Sequence, residues 1–276
     1  MIPEAPLASD MVASFHSPEI LARHPEGLQS VSRALELLCC FSPDQPEWGV
    51  TEISEYLGLC KSAVHRILVT FEQHGFVTRT SARHYRLGLR ALELGNVYRF
   101  DRRLLLKAEP LLRSLAEATD SVAHLAEMDG RDVLELMRSS GPRAVMFRRT
   151  PAFRMPVHAT ALGKVLLAAE GNEAFDRVVG RSITLRRYTP YTITKPDRLK
   201  LALAEVAANG YAVSDQECAV GCRCVAVPVR SASRKVVAAL SISNTRETFS
   251  EANFPRLLGC LFSTAAAISR DVGSSQ

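Results

Sequence analysis

The chain has 276 residues, 47% of them hydrophobic and 23% charged, with a formal net charge of +5. That length suits two domains of ordinary size, and that balance excludes wholesale disorder or a coiled-coil rod. No apolar run approaches the ~18–20 residues that span a bilayer, and seven cysteines without an export signal fit free thiols in a reducing cytoplasm.

Residues 1–26 carry Glu4, Asp10, Glu19 and Glu26 against Arg23, with Pro3, Pro6, Pro18 and Pro25. They lack the basic start and apolar middle of a signal peptide and read as a disordered tail. From Ser30 a helical stripe runs through Val31, Ala34, Leu35 and Leu38, stopping at Phe41-Ser-Pro43. Thr51 is a natural cap for a short second helix that turns Ile53, Tyr56 and Leu57 inward and ends at Gly58. Ser62 is expected to cap a third, with Val64, Ile67, Leu68 and Phe71 inward and Gly75 closing it. Two helices joined by a short Gly-containing turn are the helix-turn-helix signature.

Charge is distributed to match. Residues 1–60 hold two basic and nine acidic side chains, whereas residues 61–90 hold six basic side chains and Glu72 alone. The third helix leaves Lys61, Ser62, Ala63, His65, Arg66, Val69 and Thr70 off its core face, small or donor-bearing side chains of the kind a major groove admits. Phe76–Thr80 and His84–Leu87 then read as a hairpin wing carrying Arg79, Arg83 and Arg86, placed to reach phosphates. A helical domain that docks a protein is the alternative; charge, capping and the small exposed residues together favour double-stranded DNA.

Three segments resemble the IclR-type bacterial transcription factors: Gln29-Ser-Val-Ser-Arg-Ala-Leu-Glu-Leu-Leu38, Lys61-Ser-Ala-Val-His-Arg-Ile-Leu68 and Tyr85-Arg-Leu-Gly-Leu-Arg-Ala-Leu-Glu-Leu-Gly95. They are similar to that family's opening helix, its reading helix, and its wing end with linker helix. The resemblance implies a winged helix-turn-helix over 27–87, with Ser30 and Arg33 joining the DNA-facing set. It further implies a linker helix over 88–103 across which two DNA-binding halves pair, and an effector-binding domain over 104–272.

Along that second part, Leu104 to Ala118 reads as a helix, and Val122–Met128 and Asp132–Met137 as a hairpin about Asp129-Gly130. Ala144–Arg149 reads as a third strand and Thr160–Ala169 as a helix. Another helix runs from Pro196 to Asn209 and stops at Gly210. Cys224–Val229 and Val236–Ser243 are strands, and Ser250 is expected to cap a closing helix to about Arg270. The fold class is therefore α+β, with a mainly antiparallel sheet flanked by helices; the resemblance implies a GAF-like effector domain.

Arg154–Ala168 is no phosphate-binding loop, because Val165 stands where a magnesium-binding hydroxyl belongs. Its small residues Ala159, Ala161 and Gly163 either let the helix pack on the sheet or free its first amides for a carboxylate. Ser241 and Ser243 share one face of their strand, and Asp215 and Glu217 would share another if 212–217 is extended. The resemblance implies that Ala161, Leu162, Ser214, Cys224, Ser241 and Ser243 line an effector pocket with an apolar wall at Ala144 and Phe147. Gly163 and Asp215 are counted with them. Ser214 stands where some members carry Asp.

Cys218, Cys222 and Cys224 form C-x3-C-x-C without a fourth ligand nearby, which disfavours zinc; a redox-sensing thiol pair is the alternative. His158 has no elbow motif or orienting group to make it a catalytic base and reads as a residue holding its loop, so no enzyme, metal or cofactor is expected. The expected whole is a cytoplasmic regulator that binds a palindromic operator as a homodimer or a dimer of dimers and answers to a small organic or aromatic acid. The other alternative is an enzyme domain fused to a DNA-binding head.

Overall fold

The computed structural model describes residues 27–147, 154–180 and 184–273. The tail before Gly27 and the strand expectation for Arg148 and Arg149 lie outside them. The chain divides into two compact units between Asp101 and Arg102.

The first unit is built from α1 (Gln29–Leu38), β1 (Glu47–Trp48), α2 (Val50–Leu57), α3 (Lys61–Gln73), β2 (Val77–Arg79), β3 (Tyr85–Leu87) and α4 (Leu89–Asp101). Its core joins Leu37, Phe41, Ile53, Val64, Leu68, Val77 and Tyr85. The stripe on α1 is the expected one moved three positions along the chain. Ala34, Leu37, Leu38 and Phe41, spaced i, i+3, i+4, i+7, turn inward, while Val31 and Leu35 each stay 50% exposed. Gly49, not Thr51, caps α2, its amide donating to Glu52 Oε2 at 2.8 Å, and Tyr56 stays exposed. Gly58 takes the left-handed conformation (φ 65°) that ends the helix, leaving α3 to begin after Cys60. Ser62 therefore lies within α3, its hydroxyl 3.4 Å from the Cys60 thiol. Glu47–Trp48, not foreseen, adds a strand to the wing, giving a sheet of order β1-β3-β2. The indole of Trp48 donates to the Cys40 carbonyl at 3.0 Å and anchors it.

The second unit is α5 (Arg103–Thr119), β4 (Val122–Asp129), β5 (Asp132–Ser140), β6 (Arg154–Pro156), α6 (Ala161–Glu170), α7 (Asn172–Val179), α8 (Pro196–Asn209), β7 (Ala212–Asp215), β8 (Cys222–Arg230), β9 (Val236–Thr245) and α9 (Phe254–Gly273). Its six strands form one antiparallel sheet in the order β6-β5-β4-β9-β8-β7. Alternation divides each strand between two cores. Ala123, Leu125, Val225, Val227, Leu240 and Ile242 pack against α5 and α9 through Leu112, Leu115, Leu257 and Leu261. Ala126, Ala212, Ala226 and Ala239 pack against α6 to α8 through Leu162, Val165, Phe175 and Leu199. The alanines on that second face let α6 lie close to the sheet.

Three local expectations give way. The third strand is Arg154–Pro156, paired with β5 from Asp132 to Leu134, and Ala144–Phe147 form an irregular stretch instead. The strand at 212 ends at Asp215, where Gln216 turns with φ 61° and removes Glu217 from it. The last helix begins at Phe254, whose amide donates to the Ser250 carbonyl at 2.9 Å across an intervening turn. Among the described residues no helix is long and apolar enough to cross a membrane.

Candidate functional site

On the first unit, α3 presents its solvent face as its period dictates. Val64 and Leu68 are buried, while Lys61, Ser62, His65, Arg66 and Thr70 are exposed and Ala63 and Val69 half-buried. Arg79 and Arg86 project from the wing strands, and Arg83 sits exposed in the connecting turn with φ 63°. The Arg79 guanidinium lies 6.0 Å from the Tyr85 ring, resting on a buried side chain. His84 joins the wing to α2 through Glu52 at 3.7 Å. Ser30 and Arg33 are exposed on α1.

Sequence reasoning passed over Cys60, the residue that precedes α3. Its thiol is fully exposed, and its pKa is lowered, first by the Ser62 hydroxyl, then by the Ala63 amide, with a further contribution from Arg33. Cys40, by contrast, is buried and pushed up to about 12. Because the thiolate is the nucleophile, iodoacetamide at neutral pH is expected to label Cys60 far ahead of Cys40. Lowering the pH empties the Cys60 thiolate and slows the reaction, and bound operator DNA is expected to shield it. Peptide mass spectrometry over a time course reads all three.

On the second unit, the α6 face of the sheet turns polar near the start of that helix. At the far end of α6, Val165, Ala168 and Ala169 share a depression with Pro228 and Val236. At its beginning, Ser214 Oγ donates to the Ala159 carbonyl at 3.1 Å. Cross-strand register then aligns Ser214 with Cys224 and Cys224 with Ser243. A parallel row aligns Ser241 with His124 and His124 with Arg138. Thr160 caps α6 by accepting from the Gly163 amide at 3.1 Å, leaving the amides of Ala161 and Leu162 without a partner among the described residues. The structure thus brings Ala161, Leu162, Ser214, Cys224, Ser241 and Ser243 to one place.

One expected member, Asp215, is not brought there, and another, Gly163, is taken up by packing. Asp215 alternates to the opposite face, 3.5 Å from Arg246 and paired in register with Arg223, whose guanidinium lies over Phe254. Gly163 is there to permit close packing: a Cβ on it would fall 2.1 Å from the Val157 carbonyl oxygen, and its amide is already spent on Thr160. Phe147 packs over Gly221, in the turn before β8, its ring 3.4 Å from where a Cβ there would stand. Ala144 lies half-buried in the turn after β5, its amide bonded to Gly141.

The surroundings are held by buried polar links. Lys164, 3% exposed, donates to Glu217 and to the Val213 carbonyl (3.1 Å), tying the first turn of α6 to the end of β7. Thr189 and Thr192 bond the carbonyls of Gln216 and Glu217, each at 2.7 Å. His158 Nε2 lies 2.9 Å from the Arg186 carbonyl, and burial holds its pKa below the usual imidazole value. Cys222 and Cys224 approach to 3.6 Å, and their hydrogen bond, then burial, raises the Cys224 thiol well above its ordinary value. A thiol so held is a poor nucleophile.

Sequence reasoning missed a further buried polar chain. His124 Nδ1 lies 2.7 Å from Glu135 Oε1, and its Nε2 lies 3.0 Å from Ser243 Oγ. Arg138 approaches the same carboxylate at 3.7 Å. The available signal was a His and a Glu on the inward face of otherwise apolar hairpin strands.

The family model for the IclR helix-turn-helix domain matches residues 30–81, and that for the bacterial transcriptional regulator IclR C-terminal domain matches 100–270. The chain is 34% identical to the HTH-type transcriptional regulator XynR of Escherichia coli (strain K12) over 89% of this chain and 98% of that protein. It is 32% identical to the transcriptional repressor IclR of the same strain, over 78% and 80%. An IclR transcriptional regulator from Alicyclobacillus acidocaldarius superposes with a TM-score of 0.80 at 29% identity, over 90% of this chain and 100% of that one. An IclR homologue from Microbacterium hydrocarbonoxydans, solved in complex with 4-hydroxybenzoate, gives 0.79 at 28%, over 89% and 100%. The two family matches fall on the two units in chain order and together cover most of the sequence. The chain therefore belongs to the IclR family of bacterial transcriptional regulators, with a DNA-binding helix-turn-helix domain followed by the family's C-terminal domain.

Proposed function

We propose that this regulator reads a palindromic operator as a homodimer or a dimer of dimers in the cytoplasm, and that a small organic or aromatic acid held by the second unit controls it. The observation that carries the DNA half is the division of α3, with Val64 and Leu68 in the core and Lys61, Ser62, His65, Arg66 and Thr70 exposed. Ala63 allows close approach, Arg66 and Ser62 face base edges, and Arg79, Arg83 and Arg86 hold phosphates beside them. Ser30 and Arg33 contribute from α1. Pairing is supported by the apolar side chains left exposed on the first unit: Leu28, Val31 and Leu35 on and before α1, and Leu89, Leu92 and Val97 on α4.

The acid binds where the Ala161 and Leu162 amides meet Ser214, Cys224, Ser241 and Ser243, with Phe147 as the apolar edge. A helix start with unused amides favours an anion. The related structure from Microbacterium hydrocarbonoxydans is a complex with 4-hydroxybenzoate, which supports a small acid as the kind of ligand. The ligand controls DNA only by favouring one arrangement of the dimer over the other.

Two measurements test this. Selection from random duplexes by the purified chain is expected to return an inverted repeat; unstructured sequences would refute the operator reading. A thermal-shift screen of carboxylic acids is expected to find one that stabilises by about 2.7 kcal/mol at a hundredfold excess over Kd. That shift is expected to vanish in Ser241→Ala/Ser243→Ala. A stabilising acid that ignores this double change would place the effector elsewhere.

A further inference from the structure

Cys222 and Cys224 stand at the start of β8 with one residue between them, so alternation puts both side chains on the same face of the sheet. Their sulfurs lie 3.6 Å apart, and both residues are half-buried. Ser or Ala would pair as well in the strand, so the thiols call for a chemical reason.

Geometry narrows what two thiols at this spacing can do. A direct disulfide needs the sulfurs to close to about 2.05 Å and favours Cα atoms about 5.5–6 Å apart. Two positions along an extended strand, Cα atoms stand about 6.4–6.8 Å apart. Register resists shortening: Cys224 is paired with both Ser214 and Ser243, and Cys222 with Thr245. A bridging atom removes that conflict. With the zinc–thiolate length of about 2.3 Å as a gauge, sulfurs 3.6 Å apart meet a shared centre at an angle of about 103°. On the same gauge a linear two-coordinate ion needs them about 4.6 Å apart. A tetrahedral ion accepts the angle but asks for two further ligands. Among the described residues no three His, Cys, Asp or Glu side chains gather to hold an ion. A pyramidal centre that brings its own third substituent meets both conditions. Trivalent arsenic is such a centre, and it is soft enough to prefer sulfur.

The two thiols also differ in readiness. Their shared hydrogen bond, then burial, then the charges of Cys222 and Glu217 raise the Cys224 pKa well above its ordinary value. Cys224 therefore keeps its proton, and Cys222 is the thiol that ionises and attacks first.

We infer that Cys222 and Cys224 form a binding site for trivalent arsenicals. Cys222 bonds to arsenic, and Cys224 then closes the chelate. The arsenic–oxygen bond of R–As=O breaks, two As–S bonds form, and the two thiol protons leave with the oxygen as water. No oxidant or reductant takes part. Cys218, in the turn before β8, is not needed for a centre that keeps its own third substituent.

The test uses the full chain in reduced form, phenylarsine oxide as the probe, and intact-mass spectrometry. One equivalent is expected to stay bound through an excess of glutathione, a monothiol, and to leave with dithiothreitol. Loss of either thiol turns a chelate into a single bond. Cys222→Ser and Cys224→Ser are therefore each expected to weaken retention against glutathione roughly 10²-fold to 10⁴-fold. Cys222→Ser changes only the first residue of β8 and keeps the test sharp should Cys224→Ser fail to fold. Cys218→Ser is expected to change nothing, and so is Cys39→Ser, which breaks up the adjacent Cys39 and Cys40. Release by glutathione from the unaltered chain, or retention that survives Cys222→Ser, would overturn the inference. So would loss of the bound arsenical in Cys218→Ser or Cys39→Ser.

Discussion

Exchanging Lys164 for methionine is expected to cost the second unit about 3–5 kcal/mol of stability. Lys164 is 3% exposed, and its ammonium meets the Glu217 carboxylate and the Val213 carbonyl. Removing it strands a carboxylate whose other oxygen, Oε2, has no hydrogen-bond partner among the described residues. For a denaturation slope of about 2 kcal/mol/M, the urea midpoint falls by roughly 1.5–2.5 M. Replacing both partners, Lys164→Met with Glu217→Leu, is expected to recover most of that, because a well-packed apolar pair carries no desolvation penalty.

The pH dependence has a definite sign. Burial raises the Glu217 pKa above its ordinary 4.5 even with Lys164 beside it. A carboxyl raised in the folded state binds protons more tightly there than in the unfolded chain, so its contribution improves as pH falls and worsens as pH rises through the raised value. Without Lys164 the rise is larger. The deficit of the single variant is therefore greatest at neutral pH and shrinks on acidification. A single variant within about 0.5 kcal/mol of the parent would mean that the pair is effectively solvated.

The same pair shows which parts of this protein are legible in sequence. Where one residue and its neighbours decide a structure, the reading holds: Pro196 opens α8 and Gly210, at φ 76°, closes it, and Asp129-Gly130 sets the β4–β5 hairpin. The reading fails where two stripes compete. On α1 the apolar series from Val31 and the series from Ala34 overlap, and only tertiary packing sends Leu37 inward and leaves Leu35 out. It also fails where side-chain contacts are assembled from distant segments. Counting back from the Asp129–Asp132 pair puts Met137 opposite His124; a bulge at Leu125/Ala126 moves that place to Arg138. The other end of the histidine meets Ser243, 119 positions along the chain. Gly163 reads equally well as a ligand contact or a packing residue until the Val157 backbone is seen to occupy the space of its missing side chain.

The DNA-binding face separates two kinds of interaction that one experiment can tell apart. Ser62→Ala/Arg66→Ala removes exposed groups from α3, so unfolding stability is expected to stay within about 0.5 kcal/mol. Each hydrogen bond to a base edge that is removed costs about 1–3 kcal/mol against the cognate site and nothing against arbitrary DNA. The double variant is therefore expected to bind its operator roughly 30-fold to 10⁴-fold more weakly while its affinity for random duplex is nearly unchanged. On the proposed reading, Arg83→Ala/Arg86→Ala removes exposed wing charge placed to meet phosphates. It is expected to weaken both duplexes alike, and to flatten the dependence of log K on log salt by about 0.9 for each phosphate no longer neutralised. Fluorescence anisotropy on the two duplexes across a salt series gives both numbers. If the helix variant bound operator and random DNA equally weakly and the salt slope fell with it, Arg66 would be a phosphate clamp. The reading of bases would then pass to the remaining exposed residues of α3, Lys61, His65 and Thr70.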